Sequence, residues 1–228
     1  MSVQNYDWTA DHRIFTGQSG TGKTTLALEM LLKEKAKWKF VFDAKGGEIG
    51  HRFKIATCHT LEDLVEATDK GGMVCFNPAR EFPGAKREAF AFFCDFVWEV
   101  AQSFKGRKIL FGDELQSCVH KHKPTTELQV ILDEGRSFQL DTRFISSAPN
   151  RIYCDHRQQF NRVYAFRQVD GNATEFLKEA GIDENKVREL PNGKYLWRWT
   201  DSGEAGDGGE AFRVNGQADS NVAAAGFG

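Results

Sequence analysis

The sequence predicts an α/β fold: a mostly parallel sheet with helices on both faces, joined by right-handed crossovers. Three observations carry that expectation. Short apolar runs of strand length alternate along the chain with segments whose apolar residues recur every three or four positions. A glycine-rich stretch, residues 17–25, stands between one such strand and one such helix. A second apolar run, residues 108–114, ends in two adjacent carboxylates, Asp113 and Glu114. At 228 residues, with 40% hydrophobic residues and 19 phenylalanines, the chain suits one large domain with a sizeable core.

Residues 1–12 read as a polar lead-in. Arg13, Ile14, Phe15 and Thr16 end a strand, and the strong helix formers from Thr25 to Leu32 carry a helix to about Lys37. Its lysine-rich end suits a solvated last turn that complements the helix dipole. Residues 39–43 read as a short buried strand, broken by Gly46 and Gly47. Thr60, with Asp63 three residues on, marks a helix start, and 72–78 is a strand stopped by Pro78. The longest helix spans 86–104. There Phe90, Phe93, Val97, Val100 and Phe104 form a core-facing stripe, widened by Phe92, Phe96 and Ala101. After Gly106 comes the strand 108–114, then a polar loop, 117–124. A helix runs from Thr125 or Thr126 to about Arg136, followed by strands at 143–147 and 162–169. Asn172 and Glu175 open a small helix that Gly181 closes, and 194–199 reads as a last, edge strand. From Asp201 onward Gly, Ala, Asp, Ser and Glu dominate. The expected organisation is therefore a folded domain of 13–200 and a flexible tail of 201–228.

The net charge of −2 provides no global basic field, which weakens a nucleic-acid reading without excluding it, since a ring can gather a few basic loops in its bore. Five cysteines in no regular framework suggest free thiols and a reducing compartment. The N-terminus lacks the basic-then-apolar character of a signal peptide, and no apolar run approaches the ~20 residues that cross a bilayer. A soluble, intracellular protein is the expectation.

The chemistry begins at Gly17-Gln18-Ser19-Gly20-Thr21-Gly22-Lys23-Thr24-Thr25, which fits G-x-x-x-x-G-K-[ST], the phosphate-binding loop of nucleoside triphosphatases. Glycines permit positive φ, so successive N–H groups can turn toward phosphate oxygens, and the following helix adds its own unpaired donors. Lys23 supplies a mobile cation for the β and γ phosphates, and the Thr24 hydroxyl suits Mg²⁺. No base-reading motif separates ATP from GTP. At the end of 108–114, Asp113 is assigned to the metal. Strand alternation points Glu114 elsewhere, toward polarising the attacking water. Hydrolysis is the expected reaction. Cys118, His120 and His122 lack the second ligand pair of a zinc finger.

Several stretches occur in one order: the loop 17–24, FVFDAKGGE (40–48), ILFGDELQ (109–116), EGRSFQLDTRFISSAPNRI (134–152) and ELPNGKYLW (189–197). Together they resemble the FtsK-HerA superfamily of motor ATPases over about residues 13 to 199. The implied fold is a P-loop NTPase of the RecA/ASCE type with C-terminal edge strands. Compact size and the absence of extra domains resemble the genome-packaging ATPases of tectivirus-like phages, which carry an internal membrane. The resemblance implies a ring, a hexamer, that hydrolyses ATP with Mg²⁺ between subunits and drives double-stranded DNA into a preformed capsid. Capsid vertex or portal proteins are the implied partners, with the chain in the host cytoplasm or on a virion vertex.

The family's γ-phosphate-sensing Gln after the next strand is replaced here by Ser146-Ser147-Ala148-Pro149-Asn150, so Ser147, Asn150 or Gln116 is the sensor candidate. A ring site also needs a neighbour's cation. Arg136, at the family's Gly-Arg position, and Arg151 lead the candidates, followed by Arg143, Arg157 and Arg162. Duplex contacts are expected from Lys121 and Lys123 beside His120 and His122, and from Lys45 and Arg52 beside His51 and Lys54. Three other classes stand beside this reading. A phage morphogenesis or export ATPase acting on virion proteins normally has a membrane-spanning segment. A small-molecule kinase has less use for Glu114, and the carboxylate pair argues against a non-enzymatic nucleotide switch.

Overall fold

Strands that are apolar on both faces need helices on both sides of their sheet. The computed structural model, which describes residues 10–208, meets that need with one nine-stranded sheet among the described residues. In chain order its strands are β1 (His12–Thr16), β2 (Trp38–Phe42), β3 (Thr57–Cys58), β4 (Gly72–Phe76), β5 (Lys108–Gly112), β6 (Leu140–Ser146), β7 (Arg162–Phe166), β8 (Tyr195–Trp199) and β9 (Ala205–Gly208). Across the sheet the order is β3-β4-β2-β5-β6-β1-β7-β8-β9. The strands β1 to β7 pair in parallel, and β8 and β9 add antiparallel ladders at one side. The α/β expectation holds. The first nine residues of the lead-in and the tail from 209 lie outside the described residues.

The helices are α1 (Lys23–Lys33), α2 (Glu48–Phe53), α3 (Leu61–Lys70), α4 (Lys86–Ser103), α5 (Leu115–Cys118), α6 (Thr126–Glu134), α7 (Cys154–Gln158), α8 (Thr174–Glu179) and α9 (Glu184–Glu189). On one face of the sheet Phe15, Val41, Ile109, Phe111 and Ile145 bury Ala27, Leu28 and Leu31 of α1 and Ile49 of α2. On the other face Ile14, Phe40, Phe42, Leu110 and Phe144 pack against α3, α4, α6, α8 and α9. The phenylalanine stripe of α4 is core, as its spacing predicts: Phe90 meets Phe42 and Phe144 at ring centroid distances of 5.2 and 6.0 Å. Gly112 makes room for this cluster, because a Cβ there would lie 2.9 Å from the Phe144 ring. Among the described residues no helix is long and apolar enough to cross a membrane.

Where the elements depart from expectation, long-range contacts are the reason. The helix α1 ends at Lys33 instead of Lys37, because Glu34 turns to an extended conformation and enters a buried ion cluster. There the fully buried Arg143 of β6 meets Glu34 Oε2 at 2.7 Å and Asp11 Oδ2 at 2.8 Å. Arg107 bridges Glu34 and Asp141, both at 2.7 Å, and Arg13 binds Asp11 at 2.5 Å. Burial alone would raise the Glu34 carboxyl, but Arg143, Arg13 and Arg107 together outweigh it and hold the group below its ordinary range. The same cluster explains why β6 starts at Leu140, ahead of the apolar run beginning at Arg143: the polar Asp141 and Thr142 are buried inside it or beside it. The strand β8 is not the edge. Its outer neighbour β9 comes from residues read as tail, whose Gly206 and Gly208 lie beneath the Trp197 and Tyr195 rings, so β8 supplies the apolar surface that β9 lacks.

Arg143→Ala is expected to destabilise the fold by about 3–5 kcal/mol, because it strands buried carboxylates without their central cation. Chemical denaturation measures this, and a loss below about 1 kcal/mol, the size of a surface pair, would mean the cluster is solvated.

Candidate functional site

Because β1, β2, β5, β6 and β7 run parallel, their C-terminal ends and the loops after them share one end of the sheet. The loop after β1 is drawn tight against β7. Gly17 has φ 145°, and a Cβ there would lie 2.7 Å from Phe166 Cβ. The Gln18 N–H donates to the Arg167 carbonyl at 3.0 Å, the Thr21 hydroxyl to the Gln18 carbonyl at 2.8 Å, and Lys23 Nζ to that same carbonyl at 2.9 Å. Gly193, in the PNG turn before β8, braces the loop by donating to the Thr21 carbonyl at 3.3 Å. Gly22, at φ 99°, caps α1 with no side-chain acceptor, so the donors of the first turn stay available for phosphate. Ser19 and Gly20 are exposed; Thr24 and Thr25 are half-buried. Burial pushes the Lys23 ammonium down to about 8, with Lys45 adding to the fall and Asp113 and Glu114 opposing it.

Strand β5 delivers the carboxylates to the same end. Asp113 is 2% exposed, and its Oδ1 accepts the Glu114 N–H at 2.8 Å. Burial raises its carboxyl, against the pull of Lys45. Glu114 sits at φ 51°, ψ 45°, a left-handed conformation uncommon outside glycine, and this turn starts α5. Lys45 reaches both: its Nζ lies 3.1 Å from Glu114 Oε1 and 3.6 Å from Asp113 Oδ2. Arg52, on α2, donates to the Thr25 hydroxyl at 2.7 Å. Lys45 thus pairs with both carboxylates, and Arg52, itself exposed, reaches α1 from α2. The Thr24 hydroxyl and the Asp113 carboxylate are hard oxygen donors of the kind Mg²⁺ takes alongside phosphate and water, so the residues fit that ion.

Two of the three sensor candidates meet. Gln116 donates to the Ser147 hydroxyl at 3.0 Å, whereas Asn150 is spent on α8 and the segment before it, accepting the Phe176 N–H at 3.0 Å and donating to the Gly171 carbonyl at 3.1 Å. A residue missed from the sequence completes the link. Buried Gln168 donates to the Ser147 carbonyl at 2.8 Å and accepts from Thr16, at the root of the phosphate loop, at 3.3 Å. Its signal is the one that marks Asp113, a polar residue just beyond the C-terminal end of a buried parallel strand.

Of the arginines, Arg143 is locked in the ion cluster, and Arg157 is buried against Glu175 and Glu179 at 3.1 and 2.9 Å. Arg162 lies 4.4 Å over the Trp199 ring. Arg136 is exposed in the turn before β6, at the sheet end opposite the phosphate loop; Arg151 is exposed in the turn after β6, at the phosphate-loop end. Lys121 and Lys123 are exposed in the loop between α5 and α6. Cys118 is buried below that loop, apart from the exposed His122.

No protein-family model and no curated protein matches the sequence. Solved structures do share the fold. The DNA-packaging ATPase B204 from Sulfolobus turreted icosahedral virus matches with a TM-score of 0.66 at 15% identity, over 86% of this chain and 96% of that one. The genome packaging NTPase B204 from Sulfolobus turreted icosahedral virus 2, in complex with AMPPCP, matches with a TM-score of 0.63 at 14% identity, over 87% and 96%. VirB4 of Thermoanaerobacter pseudethanolicus matches with a TM-score of 0.63 at 9% identity, over 87% and 89%. The fold is the one the motif resemblance implies.

With Lys23 near 8, a phosphate ligand that requires its charged form takes up a proton at alkaline pH. Nucleotide affinity is expected to fall about tenfold between pH 7 and 9, following the neutral fraction of one such lysine. Calorimetry in two buffers of different ionisation enthalpy measures both the fall and the proton uptake. A flat profile would show that Lys23 stays charged without ligand.

Proposed function

We propose that this chain is an ATP-hydrolysing motor that works as a ring and moves double-stranded DNA into a preformed viral capsid. The observation that carries the reading is the meeting, at one sheet end, of the phosphate loop with its buried Lys23 and the Asp113–Glu114 pair. The fold shared with the B204 packaging ATPases supports it.

In this reading the free N–H donors of α1 and the Lys23 ammonium hold the β and γ phosphates. Thr24 and Asp113 hold Mg²⁺, which supplies neutralisation of phosphate charge when bound. Glu114 orients a water and takes its proton as the water oxygen bonds to the γ-phosphorus. The bond from that phosphorus to the β,γ-bridging oxygen breaks, and ADP and phosphate leave. The Gln116–Ser147–Gln168–Thr16 chain ties the strand ends around the reacting phosphate to the loop's root, so its loss reaches the β1, β6 and β7 ends together. Arg151, exposed at this end, is the finger offered to a neighbour in the ring, of which a hexamer is the form the resemblance implies. Arg136, at the far end, is the second choice. Lys121 and Lys123 contact duplex phosphates without reading sequence. A capsid vertex is the place of work.

Turnover is expected to rise with double-stranded DNA and to lose that stimulation as salt increases. Glu114→Gln should lower turnover by about 10²-fold or more while nucleotide still binds, and Arg151→Ala by about 10³-fold with binding intact. Steady-state hydrolysis and equilibrium binding decide this. No response to DNA at any ionic strength, or full activity in Glu114→Gln, would sink the reading.

A further inference from the structure

The turns after β2 and β4 and the start of α4 enclose a cavity of about 580 Å³. Asn77, which follows β4, lines it and is 5% exposed. Its Oδ1 accepts the Ala79 N–H at 3.0 Å, but among the described residues its Nδ2 has no partner. That nitrogen faces the turn after β2, since a Cβ at Gly47 would lie 3.4 Å from it. A buried amide donor is costly to leave without an acceptor. A second set of donors borders the same space. Lys86, Arg87 and Glu88 form the first turn of α4 and line the cavity. Ala85 offers no side-chain cap, so the N–H groups at the positive end of this 18-residue helix stay free. The Lys86 and Arg87 side chains are exposed and enter no ion pair among the described residues. Of the two carboxylates in the lining, buried Asp43 is spent on the Lys45, Ile49 and Gly50 N–H groups, which leaves Glu88 to oppose the two cations.

We propose that this cavity is a second oxyanion site, separate from the phosphate loop, and that it takes a phosphate group. The Asn77 amide, the free N–H groups of α4 and two unpaired cations together suit a ligand with several acceptor oxygens and a full negative charge. Its donors are its own. Lys45 also lines the cavity, but its ammonium is spent on Glu114 and Asp113, so neither site borrows the cation of the other. Two sources share the chemistry. One is orthophosphate, the product of the hydrolysis proposed above, formed on the far side of Lys45. The other is a phosphate monoester whose body lies on the apolar part of the lining, Pro78 and Phe82. The first source rests on the hydrolytic reading, whereas the site itself rests on Asn77, Lys86 and Arg87 alone.

The test is a calorimetric titration of inorganic phosphate into the full chain at low salt, with AMPPCP filling the nucleotide site and its γ position. The wild-type chain should still bind phosphate. Asn77→Asp keeps the acceptor for Ala79 and puts a carboxylate oxygen in place of the donor, so affinity should fall by about tenfold or more. Lys86→Gln/Arg87→Gln, at exposed positions that the fold does not need, should weaken binding roughly five- to tenfold. That double variant carries the test should Asn77→Asp not fold. No phosphate binding by the AMPPCP-loaded chain, or an unchanged affinity in Lys86→Gln/Arg87→Gln, would overturn the site. Phenyl phosphate separates the sources: binding several-fold tighter than inorganic phosphate upholds the site with a monoester as its ligand, and equal binding upholds it with orthophosphate. A chain that does not bind AMPPCP overturns the nucleotide reading, and the loss of phosphate affinity in Lys86→Gln/Arg87→Gln then decides the cavity by itself.

Discussion

The structure depends on α1 being held at both ends. At its start, a loop drawn against β7 leaves the first-turn donors free. At its finish, Glu34 is bound by Arg143, Arg107 and Arg13, side chains from β6, the approach to β5 and β1 in turn. In the proposed function this helix presents its N-terminus to phosphate oxygens, a task that a helix rocking on the sheet would not serve. Apolar packing by Ala27, Leu28 and Leu31 is strong but non-directional, whereas bidentate arginine pairs have a preferred geometry. The ion cluster therefore sets the position of α1 along the sheet.

At the opposite end of the same strands, a second group of charges surrounds the glycine-rich loop. Two lysines and two carboxylates converge, and burial lowers Lys23 while it raises Asp113. Lys45 disfavours the charge of Lys23, and Asp113 and Glu114 favour the charge of both lysines. The left-handed Glu114 belongs to this arrangement. A continued β5 would send the two side chains to opposite faces of the sheet, whereas the turn into α5 leaves both carboxylates within reach of Lys45 and lets the Ser117 hydroxyl brace the Glu114 carbonyl.

Much of the fold was legible because its signals are local. The α4 stripe, the Thr60 cap with Asp63 and the apolar strands β2, β4, β5 and β7 all stand where periodicity and capping place them. The short elements α2, α5, α7 and β3 were not legible, since four to six residues, or two in β3, carry too little period to read. The strand β9 was hidden for another reason: its composition is that of a loop, and the aromatic surface that orders it belongs to β8.

The sequence by itself determined what short-range geometry requires: glycines at positive φ in the phosphate loop, Lys23 and Thr24 at the helix start, and two carboxylates at the end of a buried strand. Those requirements are met within a few residues, so spacing reveals them. Which distant charges meet was decided only by the tertiary structure. Arg143 reads as a finger and is buried against Glu34 and Asp11; Lys45 reads as a loop cation and lies on Glu114; Gln168 carries no motif and holds the root of the loop. A side chain's electrostatic partner follows from strand order and register across the sheet, and a parallel sheet joins segments more than a hundred residues apart. No local pattern encodes that.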